Sequence, residues 1–226
     1  MIRKNLWFLL ILILSLPGAM PALAKSAVSA DTISARRAFV EMPATVLDLL
    51  PRSTRLDMLD FFDVDSVYQA PNAMEGLSHL ETVTPDYLKV DITPISSLQF
   101  KVLKDNKGAD VVMTIYTTGG GDESKDSDIR FYNSSMVELP REKILVLPQL
   151  KDFFSIPPGS VTTMKEIEQM VPFYTMEFNA SPGSNDVIGK ITVGEFMDPD
   201  DYNIARLFEK PSIKMIWDGK KLKPGK

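Results

Sequence analysis

A long β-hairpin predicted over residues 109–140 is the feature that most constrains the fold. Two runs rich in β-branched and aromatic residues flank a loop of glycines and acids, a pattern typical of two antiparallel strands and their turn. Because side chains alternate across a strand, one face carries Val111, Met113, Ile115, Ile129 and Phe131. The opposite face carries Val112, Thr114, Tyr116, Arg130 and Tyr132. The second face is half polar, which predicts a sheet covered on one side and wetted on the other.

The residues before the hairpin predict short helices followed by more strands. Residues 25–41 are Ala- and Ser-rich and predict a flexible lead-in with a helical pattern near 33–40. Pro43 opens a short helical pattern over 44–50, and Ser53 or Thr54 is positioned to cap a second helix. The apolar stripe of that helix is Leu56, Leu59 and Phe62. Alternating patterns then run from residue 78 to the hairpin and predict a meander of four or five antiparallel strands.

A second set of elements follows the hairpin. The patterns predict a helix over 165–171, strands over 173–178, 187–196 and 213–217, and a helix that Asp198 and Pro199 begin. The order of Leu50-Pro51 and Asp60-Phe61-Phe62 recurs in Leu147-Pro148 and Asp152-Phe153-Phe154. We therefore predict an α+β protein of mostly antiparallel sheet with short helices on one face. Residues 42–140 and 141–226 are its two halves, as a tandem duplication or within one compact domain.

Residues 1–24 have the three parts of a secretory signal. Arg3 and Lys4 supply the positive charge, the apolar core spans residues 6–16, and Ala22-Leu23-Ala24 predicts cleavage before Lys25. The alternative is a membrane anchor, but a membrane-spanning helix needs about 20 apolar residues. A lipid-modified cysteine is excluded because the chain contains no Cys. The sequence therefore predicts a soluble exported protein, periplasmic or extracellular, that is not a lipoprotein and has no membrane insertion after signal cleavage.

Charge and composition exclude several classes of function. Removal of Arg3 and Lys4 with the signal changes the net charge from −5 to −7, which disfavours nucleic acid as a partner. The absence of Cys excludes thiol catalysis and Cys-ligated zinc. His79 is the only histidine, so a Ser-His-Asp triad or a histidine-ligated metal would have to depend on it alone. We interpret it as an ordinary surface or half-buried residue.

Three other patterns can be compared with known types of binding site. The acids of the hairpin loop, namely Asp122, Glu123, Asp126 and Asp128 together with Ser124, suggest calcium, but the EF-hand order is absent. Asp198, Asp200 and Asp201 are typical of a helix N-terminus. The loop over 118–121 lacks the glycine spacing of a nucleotide site. A carboxylate pair for glycoside hydrolysis stays open, because its separation is a spatial property. We predict no catalytic, cofactor-binding or metal-binding residue and no cofactor.

Several segments resemble a family of secreted Bacteroidales proteins that is known only as a domain of unknown function. The resemblance is carried by Met42-Pro43, Leu49-Leu50 and residues 55–61, 80–88, 130–132 and 214–220, and it covers about residues 39–222. It implies an exported α+β protein and carries over no catalytic residue. The resemblance also implies that Asp31-Thr32-Ile33 and Asp65-Ser66-Val67 are candidate O-glycan attachment sites.

The lead hypothesis for function is a non-enzymatic envelope protein that binds a partner, either protein or glycan. It would do so through a sheet face or through a cleft between the halves. Tyr87, Tyr116 and Tyr132 are candidate contact residues, with cross-strand packing as the alternative. A carboxylate-based hydrolase would place two acids across a pocket. A structural component of the envelope would expose an apolar patch or an unpaired edge strand.

Overall fold

The structure is a computed structural model that describes residues 32–65, 68–121 and 124–225, apart from the side chain of Glu195. The predicted signal segment 1–24, with its cleavage site, lies outside the described residues. So do residues 25–31 of the predicted lead-in.

A seven-stranded antiparallel sheet is the larger of two sheets, and its strands follow one another in sequence order. The strands are β1 (Ala70–Pro71), β2 (Leu77–Val83), β3 (Tyr87–Thr93), β4 (Ser96–Lys104), β5 (Asp110–Thr118), β6 (Asp126–Asn133) and β7 (Glu138–Leu139). The predicted meander is therefore confirmed, and it gains a strand of two residues at each edge. The long hairpin is β5–β6, in which Met113 pairs with Phe131 and Ile115 with Ile129.

The face of this hairpin that was expected to be wetted is largely covered instead, so that expectation is wrong. Val112 and Tyr132 are buried in a core that they share with helix α1 (Ala35–Glu41) and helix α2 (Arg52–Asp63). The ring of Phe39 on α1 meets Phe100 on β4 edge-on, with centroids 5.7 Å apart. The half-polar composition was misleading because Tyr and Thr pack into a core when their apolar parts face it.

The N-terminal segment differs from its prediction in three respects. The helical pattern near 33–40 is confirmed as helix α1, which Ser34 Oγ caps and which packs in the core instead of being flexible. Residues 44–50 form turns, and Val46 and Leu47 both donate their backbone N–H to Pro43 O. Helix α2 already begins at Arg52, so the predicted caps Ser53 and Thr54 lie inside it.

The buried side of α2 is also rotated relative to the predicted stripe. Leu59 is buried as expected, whereas Leu56 is 38% exposed and Phe62 is only half-buried. The buried residues are instead Arg55, Met58 and Leu59. Arg55 donates from Nη1 to Phe39 O at 2.7 Å and to Met42 O at 2.8 Å. Its guanidinium satisfies carbonyls at the end of α1, which turns this side of the helix inward.

A second antiparallel sheet of four strands has the order β11-β10-β9-β8. Its strands are β8 (Thr175–Asn179), β9 (Val187–Thr192), β10 (Ile213–Trp217) and β11 (Leu222–Pro224). The helices of this half are α3 (Arg141–Ile144), α4 (Met164–Met170) and α5 (Pro199–Ala205), with 3-10 turns at Leu150–Phe153 and Gly194–Phe196. The predicted helices at 165–171 and after Asp198 are confirmed. The strand predicted over 187–196 ends at Thr192.

The two sheets share one apolar core. Val111, Met113 and Phe131 of the large sheet are buried together with Phe178, Met215 and Trp217 of the small sheet. The rings of Phe131 and Trp217 stack with centroids 6.3 Å apart. The large sheet is thus covered by helices on one face and by the small sheet on the other, as an α+β fold of mostly antiparallel strands. The tandem duplication stays a prediction.

Candidate functional site

A cleft of about 590 Å³ opens where the small sheet stops short of β2 and β3. The small sheet packs over β5 and β6, with β8 nearest to them. Residues of β2 and β3 on that side, such as His79, Lys89 and Asp91, therefore face the cleft, and Glu177 and Asn179 of β8 line its opposite wall. We name this space the sheet cleft. A cleft of this size is within the range of ligand sites in proteins.

Charges of both signs line the sheet cleft. His79 Nε2 lies 3.3 Å from Asp91 Oδ2 across the β2–β3 pair, and Lys125 Nζ lies 3.3 Å from Glu177 Oε1. Lys89 Nζ is paired at 2.5 Å with Glu81, which lies outside the lining. Both carboxylates of the lining are thus held next to a basic side chain.

Small hydroxyl residues and an apolar rim complete the sheet cleft. The β3–β4 turn contributes Thr93 and Ser96, whose hydroxyl oxygens lie 2.7 Å apart. Thr117 on β5 is linked to Ser127 in the same way at 2.8 Å. Leu77 and Ile95 are more than half exposed at the rim. The cleft therefore offers hydrogen-bonding groups, both signs of charge and a small apolar surface.

A polar seam between the sheets fixes the position of the cleft wall. Gln99 and Lys101 point from β4 toward the small sheet and are both 1% exposed. Gln99 Oε1 accepts from Ala180 N at 2.9 Å, and Gln99 Nε2 donates to Phe178 O at 3.2 Å. Lys101 Nζ donates to Ser181 O at 2.9 Å. These two side chains hold the end of β8 and the loop that follows it.

The same seam covers the outer edge of β8. Met176 N donates to Asp126 Oδ1 at 3.3 Å and Phe178 N donates to Ser127 Oγ at 3.0 Å, in addition to the bond from Ala180 to Gln99. Backbone groups of an edge strand would otherwise offer a template for another strand. Here side chains of the large sheet accept hydrogen bonds from these backbone N–H groups.

Two ionisable groups of the seam have perturbed pKa values. Burial alone would raise the pKa of Asp86, but hydrogen bonds from Lys101, Gly183 and Thr84 outweigh it and hold the pKa below its ordinary value. Burial raises the pKa of Tyr87 to about 12, and the charges of Glu81 and Asp91 act in the same direction. The Tyr87 hydroxyl donates to Gln99 Oε1 at 3.2 Å, so it belongs to the seam.

His79 is half-buried, as expected, and the structure places it in the sheet cleft. Of the acidic loop, Asp122 and Glu123 lie outside the described residues. Asp126 accepts from the backbone of β8, and Asp128 accepts from Arg130 Nε at 2.7 Å and from Arg141 Nη1 at 2.8 Å. Within the described ranges, no group of three or more acidic or histidine residues could hold a metal ion.

The other predicted positions have structural roles. Asp198 Oδ1 accepts from Asp200 N and Asp201 N, which confirms the helix N-terminus. Gly119 and Gly120 follow β5 in the hairpin loop, and no helix begins there. For the candidate O-glycan sites, Asp31, Ser66 and Val67 lie outside the described residues. Ile33 is buried, and its backbone N–H donates to Asp110 Oδ2 at 2.8 Å.

The aromatic candidates are mostly packed rather than displayed. Tyr87 and Tyr132 are 5% and 1% exposed, whereas Tyr116 is 38% exposed. Packing, the stated alternative to a contact role, therefore describes Tyr87 and Tyr132, which two cores bury from opposite sides of the sheet. Trp217 lies between the sheets and donates from Nε1 to Lys104 O at 2.7 Å. None of these four residues lines the sheet cleft.

Apart from His79, the charged residues of the cleft carry no functional signature in the sequence. Lys89 and Asp91 stand on the polar side of an alternating strand, and no sequence pattern marks Lys125 or Glu177. Their meeting depends on the packing of β8 against the large sheet, a contact between residues far apart in the chain. The one available signal was Gln99 and Lys101, which alternate with apolar residues on a central strand of the predicted meander.

The chain is similar to proteins that have no assigned activity. A family model described as a protein of unknown function, DUF3256, matches residues 27–222. A solved structure of a domain of an uncharacterized protein from Porphyromonas gingivalis W83 has a similar fold. Its TM-score is 0.66 at 17% identity, over 86% of this chain and 99% of that chain. No curated protein matches. In the described part of the chain, no helix is long and apolar enough to span a membrane.

Proposed function

The chain belongs to the DUF3256 family, and we propose that it is a non-enzymatic binding module that takes an extended protein segment in the sheet cleft. The family description assigns no activity, so the proposal depends on the geometry of this chain alone. The observation that carries it is the cleft itself: an open space of about 590 Å³ with paired charges, hydroxyls and an apolar rim.

A protein segment matches each of these features. Its backbone supplies donors and acceptors for Thr93, Ser96 and Asn179 along the walls. Its charged side chains can exchange with the ion pairs, since exposed pairs contribute only about 0–1 kcal/mol each. A small apolar side chain can pack against Leu77 and Ile95, which are already exposed at the rim.

A glycan is the less favoured ligand for the same cleft. The flat apolar faces of sugar rings pack well on aromatic side chains, which combine a large apolar surface with a defined geometry. No Phe, Tyr or Trp occurs among the described residues that line the cleft. Of the two partner classes that the sequence left open, the lining therefore favours protein.

A carboxylate-based hydrolase finds less support than binding. Asp91 and Glu177 are the acids of the lining, and each is within 3.3 Å of a basic nitrogen. Hydrolysis of a glycoside needs one carboxylic acid that can give up its proton. Each acid of the lining is instead engaged by a basic side chain, so we propose that the module has no hydrolytic activity.

A structural role in the envelope is the second candidate, and one observation favours it. Phe173 and Phe196 of the second half are 55% and 43% exposed, and their rings meet edge-on with centroids 5.3 Å apart. Exposed apolar pairs of this kind can mark contact sites. Replacing both with Ser would release a partner bound there, and would leave a ligand of the sheet cleft in place.

The proposal places the protein outside the inner membrane, because residues 1–24 have the pattern of a cleaved signal. Fractionation of cells that express the full chain, followed by N-terminal sequencing, tests this placement. A periplasmic or secreted protein that begins at Lys25 is expected. A cytoplasmic protein that still begins at Met1 would overturn the export proposal and leave the binding proposal intact.

Selection from a random peptide display library on the purified mature protein tests binding. Enriched peptides are expected to bind at least tenfold more weakly to Asp91→Asn and Lys89→Gln, which change half-buried charges of the cleft. Asp218→Asn and Lys223→Gln are the matched controls, because that exposed pair lies outside the lining. Peptides that bind all variants equally, or a library without enrichment, would contradict the proposal. Binding on a glycan array that these cleft variants lose would replace it with the carbohydrate alternative.

A further inference from the structure

A second pocket, of about 300 Å³, lies on the opposite face of the large sheet from the sheet cleft. Residues 45–49 form one wall, and β3, β4, β5 and β6 form the other. We name it the loop pocket. Its wall residue Thr114 lies on the face of β5 that looks toward the helices, whereas Thr117 of the sheet cleft looks toward the small sheet. The inference drawn from the loop pocket is thus independent of the proposed function.

The loop that forms this wall is held in place from both ends. Leu47 and Leu50 are buried in the helix-side core. The backbone N–H groups of Val46 and Leu47 are both bonded to Pro43 O, and Leu49 O accepts from Ala73 N at 3.1 Å. Asp48 lies between the two buried leucines and is exposed. Its carboxylate is therefore presented at the pocket by a fixed backbone.

The loop pocket is apolar on one side and polar on the other. Leu49, Ile92 and Leu98 supply aliphatic surface, of which the last two are almost completely buried. Thr114 and Tyr116 supply hydroxyl groups from β5, and the Tyr116 ring is 38% exposed. A ligand for such a space combines a short hydrocarbon chain with a single polar head.

The charges that line the loop pocket decide whether the polar head of its ligand is cationic or anionic. Arg130 is engaged by Asp128, whose hydrogen bond raises the pKa of the guanidinium, and Arg141 binds the second oxygen of Asp128. Glu138 Oε2 lies 4.0 Å from Arg130 Nη1, so two carboxylates offset these two guanidinium groups. Asp48, by contrast, has no hydrogen-bond or ion-pair partner among the residues that the structure describes. The unbalanced charge at the pocket is therefore the negative charge of Asp48. A cationic head would balance it, and an anionic head would be repelled.

We infer that the loop pocket binds an aliphatic amine in its protonated form. The ammonium group is bound by the Asp48 carboxylate and lies near the Tyr116 ring, whose face attracts cations. The carbon chain packs against Leu49, Ile92 and Leu98. Two sources share this chemistry, namely the side chain of a lysine in a partner protein and a free alkylamine.

Titration of the mature protein with n-hexylammonium, followed by amide chemical shifts, tests the inference. Saturable shifts are expected at Asp48, Leu98 and Tyr116. Hexanol and hexanoate are matched probes with the same carbon chain and a neutral or negative head, and both are expected to bind at least tenfold more weakly. Saturable shifts with N-acetyl-lysine methylamide as well would support the side chain of a partner as the source. Binding of hexylammonium alone would support a free amine.

Asp48→Asn keeps the shape of the side chain and removes its charge, so it should weaken hexylammonium binding at least tenfold. The matched control is Asp57→Asn, which changes another exposed aspartate without an ion-pair partner in the described ranges. Three outcomes would overturn the inference: no saturation with hexylammonium, equal binding of hexanol, or unchanged binding in Asp48→Asn.

Discussion

The side-chain carbonyl oxygen of Gln99 accepts a 2.9 Å hydrogen bond from the backbone N–H of Ala180, which lies 81 positions later in the chain. Through this bond a central strand of the large sheet holds the end of the edge strand of the small sheet. Gln99 is 1% exposed, so water cannot replace the bond if it is lost. The relative position of the two sheets, and with it the sheet cleft, depends on this seam.

Replacement of Gln99 by Leu should destabilise the protein by roughly 2–4 kcal/mol. The substitution leaves Ala180 N–H and Phe178 C=O buried without their partner, and each such group costs about 1–3 kcal/mol. Urea denaturation measures the free energy of unfolding. Gln169→Leu is the matched control, because Gln169 is exposed on α4, and its effect should stay within about 0.5 kcal/mol. Equal effects of the two substitutions would contradict the role of the seam.

The seam should also make the protein sensitive to acid through Asp86. Its pKa is lower in the folded state than in the unfolded chain, so the unfolded chain binds more protons as the pH falls through about 4. The stabilisation by Asp86 is present above that pH and is lost below it. Urea denaturation from neutral pH to pH about 3 should show a smaller acid-dependent loss for Asp86→Asn than for the native chain. Asp57→Asn is the control, because it removes an exposed carboxylate outside the seam. If it changed the pH dependence of the unfolding free energy as much as Asp86→Asn does, the acid sensitivity could not be assigned to Asp86.

At neutral pH, Asp86→Asn should itself be less stable than the native chain. Lys101 is 1% exposed and would lose the carboxylate that accepts from its Nζ at 2.5 Å, and removing one partner of a buried ion pair is costly. Lys101→Met, which removes the charge, should restore part of the lost stability in the double variant. A double variant that shows only the sum of the two single effects would argue against a coupled pair.

Much of the fold could be predicted because its helices and strands follow from patterns among neighbouring residues. The β5–β6 hairpin follows from alternation and a glycine-rich turn, and helix α5 follows from Asp198 and Pro199 at its start. Residues 44–50 show the limit of such reasoning, since Pro43 and an apolar pattern suit a helix, yet the segment forms turns in which Leu49 O accepts from the distant Ala73 N. The rotation of α2 has a similar cause, because Arg55 faces inward to bind the carbonyls of Phe39 and Met42.

Neither pocket could be predicted from the sequence, because each is formed by residues that lie far apart in the chain. Lys89 and Glu177 line the same cleft although no local pattern connects β3 with β8. Asp48 and Tyr116 similarly meet only after a loop has been placed over a sheet. Alternation correctly separated the two faces of each strand, but it could not show which part of each face another layer covers. Both proposed binding surfaces lie on parts of the large sheet that no other layer covers.

Alkaline pH should destabilise the protein through Tyr87. Its hydroxyl ionises at about 12 in the folded state and near 10 in the unfolded chain. The stabilisation from keeping this group neutral is complete below pH about 10 and is lost as the pH rises through the folded value. Urea denaturation across this range, with the phenolate absorbance recorded in parallel, should show a shallower loss in Tyr87→Phe than in the native chain. Tyr116→Phe, which changes a partly exposed ring, should keep the native slope; identical slopes for all three proteins would contradict the prediction.

The loop of the long hairpin requires glycine at position 119, directly after β5, but not at position 120. Gly119 has φ of +137°, and a Cβ atom there would lie 2.5 Å from Ser124 O, whereas a Cβ at Gly120 would meet no atom within 4 Å. Gly119→Ala should therefore cost about 2 kcal/mol or more in the free energy of unfolding, and Gly120→Ala should change it by less than about 0.5 kcal/mol. Gly119 also donates its N–H to Ile95 O at 3.0 Å, which ties the hairpin to the rim of the sheet cleft. Amide exchange at Gly119 and at the rim should accordingly accelerate in the first variant alone. Equal stability of the two variants would show that position 119 tolerates a side chain and that the rim of the sheet cleft does not depend on Gly119.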